Sequence, residues 1–313
     1  MVGENFLTCY FILRDKDLFS FELLANAIVI GILLGGFYAA LSIGLSISFG
    51  LLDIVNIAHP AFIIFGAFVC FICNSTYGLD PILAGIIFAP AFFLLGTLIY
   101  RVYYESFEKT GATALRGLAF FFGVMFIIEV FLIIYFGVDF QMVQAEYIDY
   151  KLSFGYVDIP FRMFVPFVIA MIMTLGLQYF SSKTFFGRAM QAVAQDSLAL
   201  RLVAIDPAKI KRLAFGISLA TCSVAGALFV IVMPIEPSVG RLYIGQVFAI
   251  VVLGGLGSQS GTLIAAMLLG MVETMITTFF GPSWAPAVAF SALILVLAFK
   301  PTGILGRVGD TRG

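Results

Sequence analysis

One histidine, two closely spaced cysteines and two acids stand inside long apolar runs: His59, Cys70 and Cys73, Glu129 and Glu273. A CxxC pair can hold a metal or carry redox chemistry. Here it lies in "FIIFGAFVCFICNS" with no second pair, and His59 is the sole histidine of the chain. Helix packing is the better reading, because a free Cys behaves as a small hydrophobe. No nucleophile is placed beside a base. The stretch "GGLGSQSGT", 254–262, has the glycines of a phosphate loop but lacks the Lys before its Thr. Nothing therefore supports an enzyme, a metal site or a bound cofactor. An ionised acid at mid-bilayer costs about 2.5–3.5 kcal/mol, so Glu129 and Glu273 are each functional candidates. For Glu129 the expectation is a protonated group, or one paired across a subunit interface.

These residues must be positioned by elements that lipid surrounds. Of the 313 residues, 62% are hydrophobic and 11% are charged. Soluble domains are nearer a quarter charged, and no soluble fold of this size can hide so much apolar surface. The net charge of −1 gives no electrostatic case for nucleic acid. The opening residues lack a basic start and a small-residue cleavage site, so they do not read as a cleaved signal peptide. Long apolar runs occupy 23–47, 82–100, 117–136, 161–179, 213–233, 262–280 and 286–299. Each can cross a core of about 30 Å at about 1.5 Å per residue, the last being short. Two more are interrupted. One spans 54–72 and is broken at His59-Pro60; the other spans 242–253 and runs into "GGLGSQSG". The fold class is all-α: a polytopic membrane protein of eight or nine transmembrane helices with broken or short segments near 54–72 and 242–261.

Twelve of the 17 Lys and Arg fall in the loops 100–116 and 181–212 and in the tail 300–313. The loop 138–160 on the other side carries Asp139, Glu146, Asp149 and Asp158 against Lys151. Positive-inside then puts the two basic loops and the C-terminus in the cytoplasm. The N-terminus falls outside if all nine segments cross. Asp53, between two runs, is expected at the cytoplasmic end.

Broken backbone at membrane depth is tolerated only where protein or water satisfies it. Gly/Pro-interrupted segments in the two halves point to a transport path. The proline disfavours helical geometry at His59. Asn56, His59, Ser258 and Ser260 are the polar side chains placed at the breaks, with Gly254, Gly255 and Gly257 freeing the backbone. A satisfied core histidine competes with a substrate contact for His59, and close helix packing competes for the glycines; Ala266 and Gly270 are expected to pack in that way.

The most polar long stretch is "FGRAMQAVAQDSLALRLVAIDPAKIKR", 186–212. Asp196 can cap a short helix whose Leu198, Leu202 and Val203 lie near one face. Asp206-Pro207 is a second helix start, Asp at the cap and Pro in the first turn. The residues alone leave two readings open: an amphipathic helix resting on lipid headgroups, or a docking knob for a cytoplasmic partner.

At this point the chain resembles a known family. "GRAMQAVAQDSLALRLVAIDPAKIKRLAFGISLATCSVAGAL" resembles the coupling loop of the permease subunits of branched-chain amino acid ABC transporters. Ala204 stands where the family has Gly, which puts the local turn in question. "GLLDIVNIAHPAFIIFGAF" resembles the motif after the first membrane helix, with Pro60 in place of a glycine. "VVLGGLGSQSGTLIAAMLLGMVE" resembles the Gly-rich second-half motif, Glu273 standing where the family commonly has Glu. "LAFKPTGILG" resembles the usual end.

The resemblance spans about residues 25–306 and implies one transmembrane permease domain over 1–313, in a bacterial or archaeal cytoplasmic membrane. It implies a homologous second permease subunit, two cytoplasmic ATPase subunits and an extracellular substrate-binding protein as partners. Its coupling loop at 181–212 would meet the ATPases through Gln195, Asp196, Leu198, Arg201 and Leu202. The expected function is ATP-driven import of branched-chain or related small amino acids or neutral polar solutes. The substrate path would include Asn56, His59, Gly254, Gly255, Gly257, Ser258 and Glu273. The alternative is a secondary transporter or channel for urea or an amide that needs no ATPase.

Overall fold

The computed structural model describes residues 21–50, 52, 54–109, 114–145, 147–154, 157–196, 200, 202, 204–300 and 302–306. Ten α-helices account for nearly all regular structure among them. They are α1 (Phe21–Gly50), α2 (His59–Tyr77), α3 (Pro81–Tyr103), α4 (Ala114–Phe136) and α5 (Phe161–Lys183), then α6 (Phe185–Gln195), α7 (Pro207–Val232), α8 (Gly240–Gly254), α9 (Gln259–Phe280) and α10 (Ala285–Phe299). A π-helical turn, Tyr104–Glu108, extends α3, and a hairpin of β1 (Lys151–Phe154) and β2 (Val157–Pro160) precedes α5. Eight helical spans are long and apolar enough to cross a membrane, and α8 is a shorter apolar helix. The protein is a multi-pass membrane protein.

Helices α1 and α7 form the buried centre, with most of their membrane stretches enclosed, whereas α5 and α10 are mostly exposed to the surroundings. Lipid is as apolar as Leu, so close backbone approach and interhelical hydrogen bonds must do the joining. The α1–α9 seam shows the first device. Gly31 and Gly35 face Ala266, Met267, Gly270 and Met271, and a Cβ on Gly270 would stand 2.6 Å from Gly35 Cα. Ala266 and Gly270 pack as their spacing requires. The second device is a set of hydroxyl stitches. Ser218 Oγ donates to Gly44 O at 2.6 Å, Thr262 Oγ1 to Ser46 Oγ at 3.0 Å, and Ser223 Oγ to Gly85 O at 2.8 Å.

The chain reverses in a consistent sense. At one end, Lys211 at the base of α7 meets Glu108 of the π turn at 2.6 Å. Near that same end, Gln178 of α5 donates to Ser260 of α9 at 2.6 Å. At the other end, Gln141 and Ile235 exchange two backbone bonds of 2.8 and 2.9 Å, and Asp158 N donates to Asn26 Oδ1 at 3.1 Å. The basic loops thus share one end and the acidic hairpin loop lies at the other.

Two corrections to the sequence reading follow. The break before α2 is not at His59-Pro60. Helix α2 starts at His59, with Ala58 at the N-cap and Pro60 inside the first turn, and the non-helical stretch lies upstream. A proline costs nothing in a first turn, where its missing N–H has no intrahelical acceptor. Glu129 is not left to a subunit interface. It is paired within the chain by Arg241, whose Nε donates to Glu129 Oε2 at 2.7 Å and whose Nη2 reaches Oε1. Asp53 lies outside the described residues.

Candidate functional site

The segment 54–58 folds back along α1, Ile54 N donating to Ser48 O at 3.1 Å. His59 therefore meets α1 at Leu41 O, 3.2 Å from its Nε2. Leu41 is nine residues before the end of α1, about 13 Å along the axis. Helix α2 begins inside the bundle, not at its end. Helix α8 does the same from the opposite side: its first residue, Gly240, packs against Pro60 and Ile64. The N-termini of two helices meet there, beside a tight apolar crevice lined by Leu41, Ile63, Ile64, Phe229, Tyr243 and Val247, with Pro60 and Gly240 at its edge. Its walls are packed too tightly to hold a water molecule.

Asn56 and His59 are fully enclosed. Asn56 Oδ1 accepts from Ala58 N at 3.1 Å, an Asx turn that starts α2, while its Nδ2 finds no acceptor among the described residues. His59 has contacts on both ring nitrogens, Leu41 O on Nε2 and Cys222 Sγ 3.4 Å from Nδ1. Glu273 lies close by along α1: Tyr38, one turn before Leu41, donates to Glu273 Oε1 at 2.9 Å. Gln246 Nε2 of α8 donates to Oε2 at 2.8 Å. His59 and Glu273 are thus brought to one stretch of α1.

The glycine segment is not. Gly254, Gly255, Gly257 and Ser258 form the turn between α8 and α9, against the end of α1 at Gly50. Glu273 is fourteen residues beyond the first residue of α9, about 21 Å away along the helix. Gly255 and Gly257 hold φ of 98° and 78°, open to glycine and strained for other residues. The last carbonyls of α8 are taken by the tail: Ile304 N donates to Leu253 O at 2.8 Å and Leu305 N to Gly254 O at 3.2 Å. Ser258 caps α9 by accepting from Gly261 N at 3.1 Å. The carbonyls at this end of α8 are thus satisfied by backbone.

In the loop between α5 and α7, Gln195 and Asp196 are exposed and end α6, Asp196 N donating to Ala192 O at 2.9 Å. Leu198 and Arg201 lie outside the described residues. Leu200 and Leu202 are helical; Leu200 is 7% exposed and Leu202 is 83% exposed. Ala204 adopts φ of 59°, so the left-handed turn survives with alanine where the resembled family has glycine. Asp206 caps α7 as its position before Pro207 requires, Oδ1 accepting from Ala208 N at 3.0 Å. Five residues on, Lys211 ties the base of α7 to Glu108, which also accepts from Tyr100 Oη at 2.8 Å.

Comparison with known proteins settles the family. The model of the branched-chain amino acid transport system permease component matches residues 27–298. The chain belongs to that family. Its relatives include the high-affinity branched-chain amino acid transport system permease protein BraD of Pseudomonas aeruginosa, 28% identical over 90% of this chain and 95% of that protein. The corresponding LivH of Escherichia coli is 27% identical over 88% of this chain and 94% of that protein. LivM of Escherichia coli, described in the same words, is 26% identical over 86% of this chain and 67% of that protein. No solved structure matches this permease. Its relatives are transport permeases and not enzymes, and two of them, LivH and LivM, are distinct permease proteins of one kind of transport system.

Sequence reasoning did not find Tyr38, Tyr243, Gln246 or Arg241. The signal for Arg241 was available: an acid and a base, each bordering or inside an apolar run, are best read as partners. Tyr38 and Gln246 carried no such mark, because single polar residues in apolar runs are common.

Proposed function

We propose that this permease is a transmembrane subunit of an ATP-driven importer of branched-chain or related small neutral amino acids. It pairs with a homologous second permease, two cytoplasmic ATPases and a substrate-binding protein outside the membrane. The basic end of the bundle is cytoplasmic by the positive-inside rule. The observation that carries the reading is the segment between α5 and α7. It holds an exposed Leu202 beside a turn kept left-handed at Ala204 and is tied through α7 to the π turn. Lipid-spanning helices need only a short linker; a capped, multi-part loop with an outward leucine suits a partner that pushes.

Leu202→Asp tests it, in cells that express the permease with its neighbouring transport genes. Leucine uptake is expected to fall to background while the permease stays in the membrane, and the ATPases no longer copurify with it. Normal ATP-dependent uptake by the variant would remove the docking role. Uptake by the permease alone, without any ATPase, would instead establish a secondary transporter or channel.

A further inference from the structure

Glu273 is a buried acid without a counter-ion among the described residues. Both carboxylate oxygens are engaged, but by neutral donors, Tyr38 Oη and Gln246 Nε2. The ion pairs within 4.0 Å among the described residues do not include it, and Arg241, the base on α8, is committed to Glu129. A carboxylate offers about four lone-pair sites, so two remain for another donor. An ion buried without a partner charge is costly, and the cost is removed by a cation or by a proton.

Tyr38, one of the two donors that hold the acid, belongs to a run of packed aromatic rings. Phe37 and Tyr38 stand 5.8 Å apart by ring centroids, Phe37 and Phe229 5.7 Å, and Phe229 and Tyr243 5.0 Å edge to face. Aromatic faces attract cations within about 6 Å. The same elements lead directly into the crevice. Tyr38 is one turn before Leu41 on α1, and Gln246 is one turn after Tyr243 on α8; Leu41 and Tyr243 both line the crevice. Residues three apart on a helix are neighbours. The acid is therefore held by side chains one helical turn from a crevice whose walls include the branched, aliphatic Ile63, Ile64 and Val247.

We propose that Glu273, held by Tyr38 and Gln246, receives the ammonium group of an aliphatic α-amino acid whose side chain enters the Leu41–Ile63–Ile64–Val247 crevice. This deepens the import reading and rests on it. A bare metal ion fits less well, since Gln246 presents its N–H₂ to the acid and the slot walls are aliphatic and aromatic, with no carboxylate among them. An ammonium brings three donors and an apolar tail, which matches two free lone-pair positions and a greasy slot. In this conformation the crevice is closed too tightly for water, so loading requires α8 to move away from α2.

The test has two parts. Leucine uptake is first measured in cells with the complete wild-type system. Absent uptake of every aliphatic amino acid overturns the import reading and this inference together. With uptake present, the detergent-purified permease complex without its binding protein is melted against increasing L-leucine and against 2-hydroxy-4-methylpentanoate, which keeps the carboxylate and side chain but has no ammonium. The wild type is expected to be stabilised by leucine alone. Glu273→Gln keeps a polar side chain of the same shape, so its melting temperature without ligand is expected to stay close to wild type. The leucine needed for the same shift should rise by about tenfold or more. Ile64→Phe, which fills the slot, should lose the response to leucine more than the response to alanine. An unchanged leucine response in Glu273→Gln, or an equal wild-type response to the hydroxy acid, overturns the inference and leaves Glu273 as a neutral structural acid.

Discussion

Cutting the Glu129–Arg241 pair from its two ends should cost unequal amounts. Glu129 is 4% exposed and Arg241 is 49% exposed at the side chain. Arg241→Met strands a carboxylate inside the bundle. Breaking a fully buried pair costs about 3–5 kcal/mol, because the remaining charge is uncompensated. The open side of Arg241 admits screening, which lowers the value to about 2–3 kcal/mol. Glu129→Gln instead leaves a cation that can swing toward headgroups or water on its flexible stem, and still lies 5.4 Å from the Phe126 ring. That loss is about 1 kcal/mol or less. The double variant Arg241→Met with Glu129→Leu removes both charges and should recover most of the Arg241→Met loss. At about 2–4 °C per kcal/mol for a chain of some hundreds of residues, Arg241→Met should melt several degrees below Glu129→Gln. The assay is thermal unfolding of the purified complex followed by size-exclusion fluorescence. Equal shifts for the two single variants, or no recovery in the double, would refute the argument that the buried carboxylate sets the cost.

Three further outcomes are expected. Gly257→Ala, at φ of 78°, should cost about 1–2 kcal/mol and lose most uptake with the complex still assembled. Gly123→Ala, in a helix with open space at its Cβ, should be neutral or stabilising by up to about 1 kcal/mol; melting and uptake of both variants check the contrast. Ala204→Gly relieves a left-handed alanine and should raise stability by at most about 1 kcal/mol, since glycine loses more chain entropy on folding; uptake should be unchanged. A single cysteine at exposed Asp149 should react with an impermeant thiol reagent from outside, whereas one at exposed Leu202 should react only after the membrane is opened. The reverse labelling would invert the orientation and detach the loop from the ATPases.

Apolar run length by itself determined that the chain is helical and membrane-spanning, because lipid leaves a backbone few other ways to satisfy its polar groups. The cap of α7 was equally legible. Asp206 before Pro207 starts α7 where local chemistry demands, whereas Ser258, read from sequence as a polar group at a break, caps α9. The glycines of "GGLGSQSG" marked an interruption of the helical run, which positive φ at Gly255 and Gly257 makes concrete. What they faced was not legible. Sequence spacing cannot say that residues 304 and 305 return to take the carbonyls at the end of α8, nor that segment 54–58 doubles back to set His59 against Leu41. Tertiary structure alone decided the partners of the two buried acids. Glu129 found Arg241 112 positions away, and Glu273 found Tyr38 235 positions away. Side-chain chemistry required that each acid have a partner, but only the packing of α1 against α9 and the folding of α8 into the bundle chose which one.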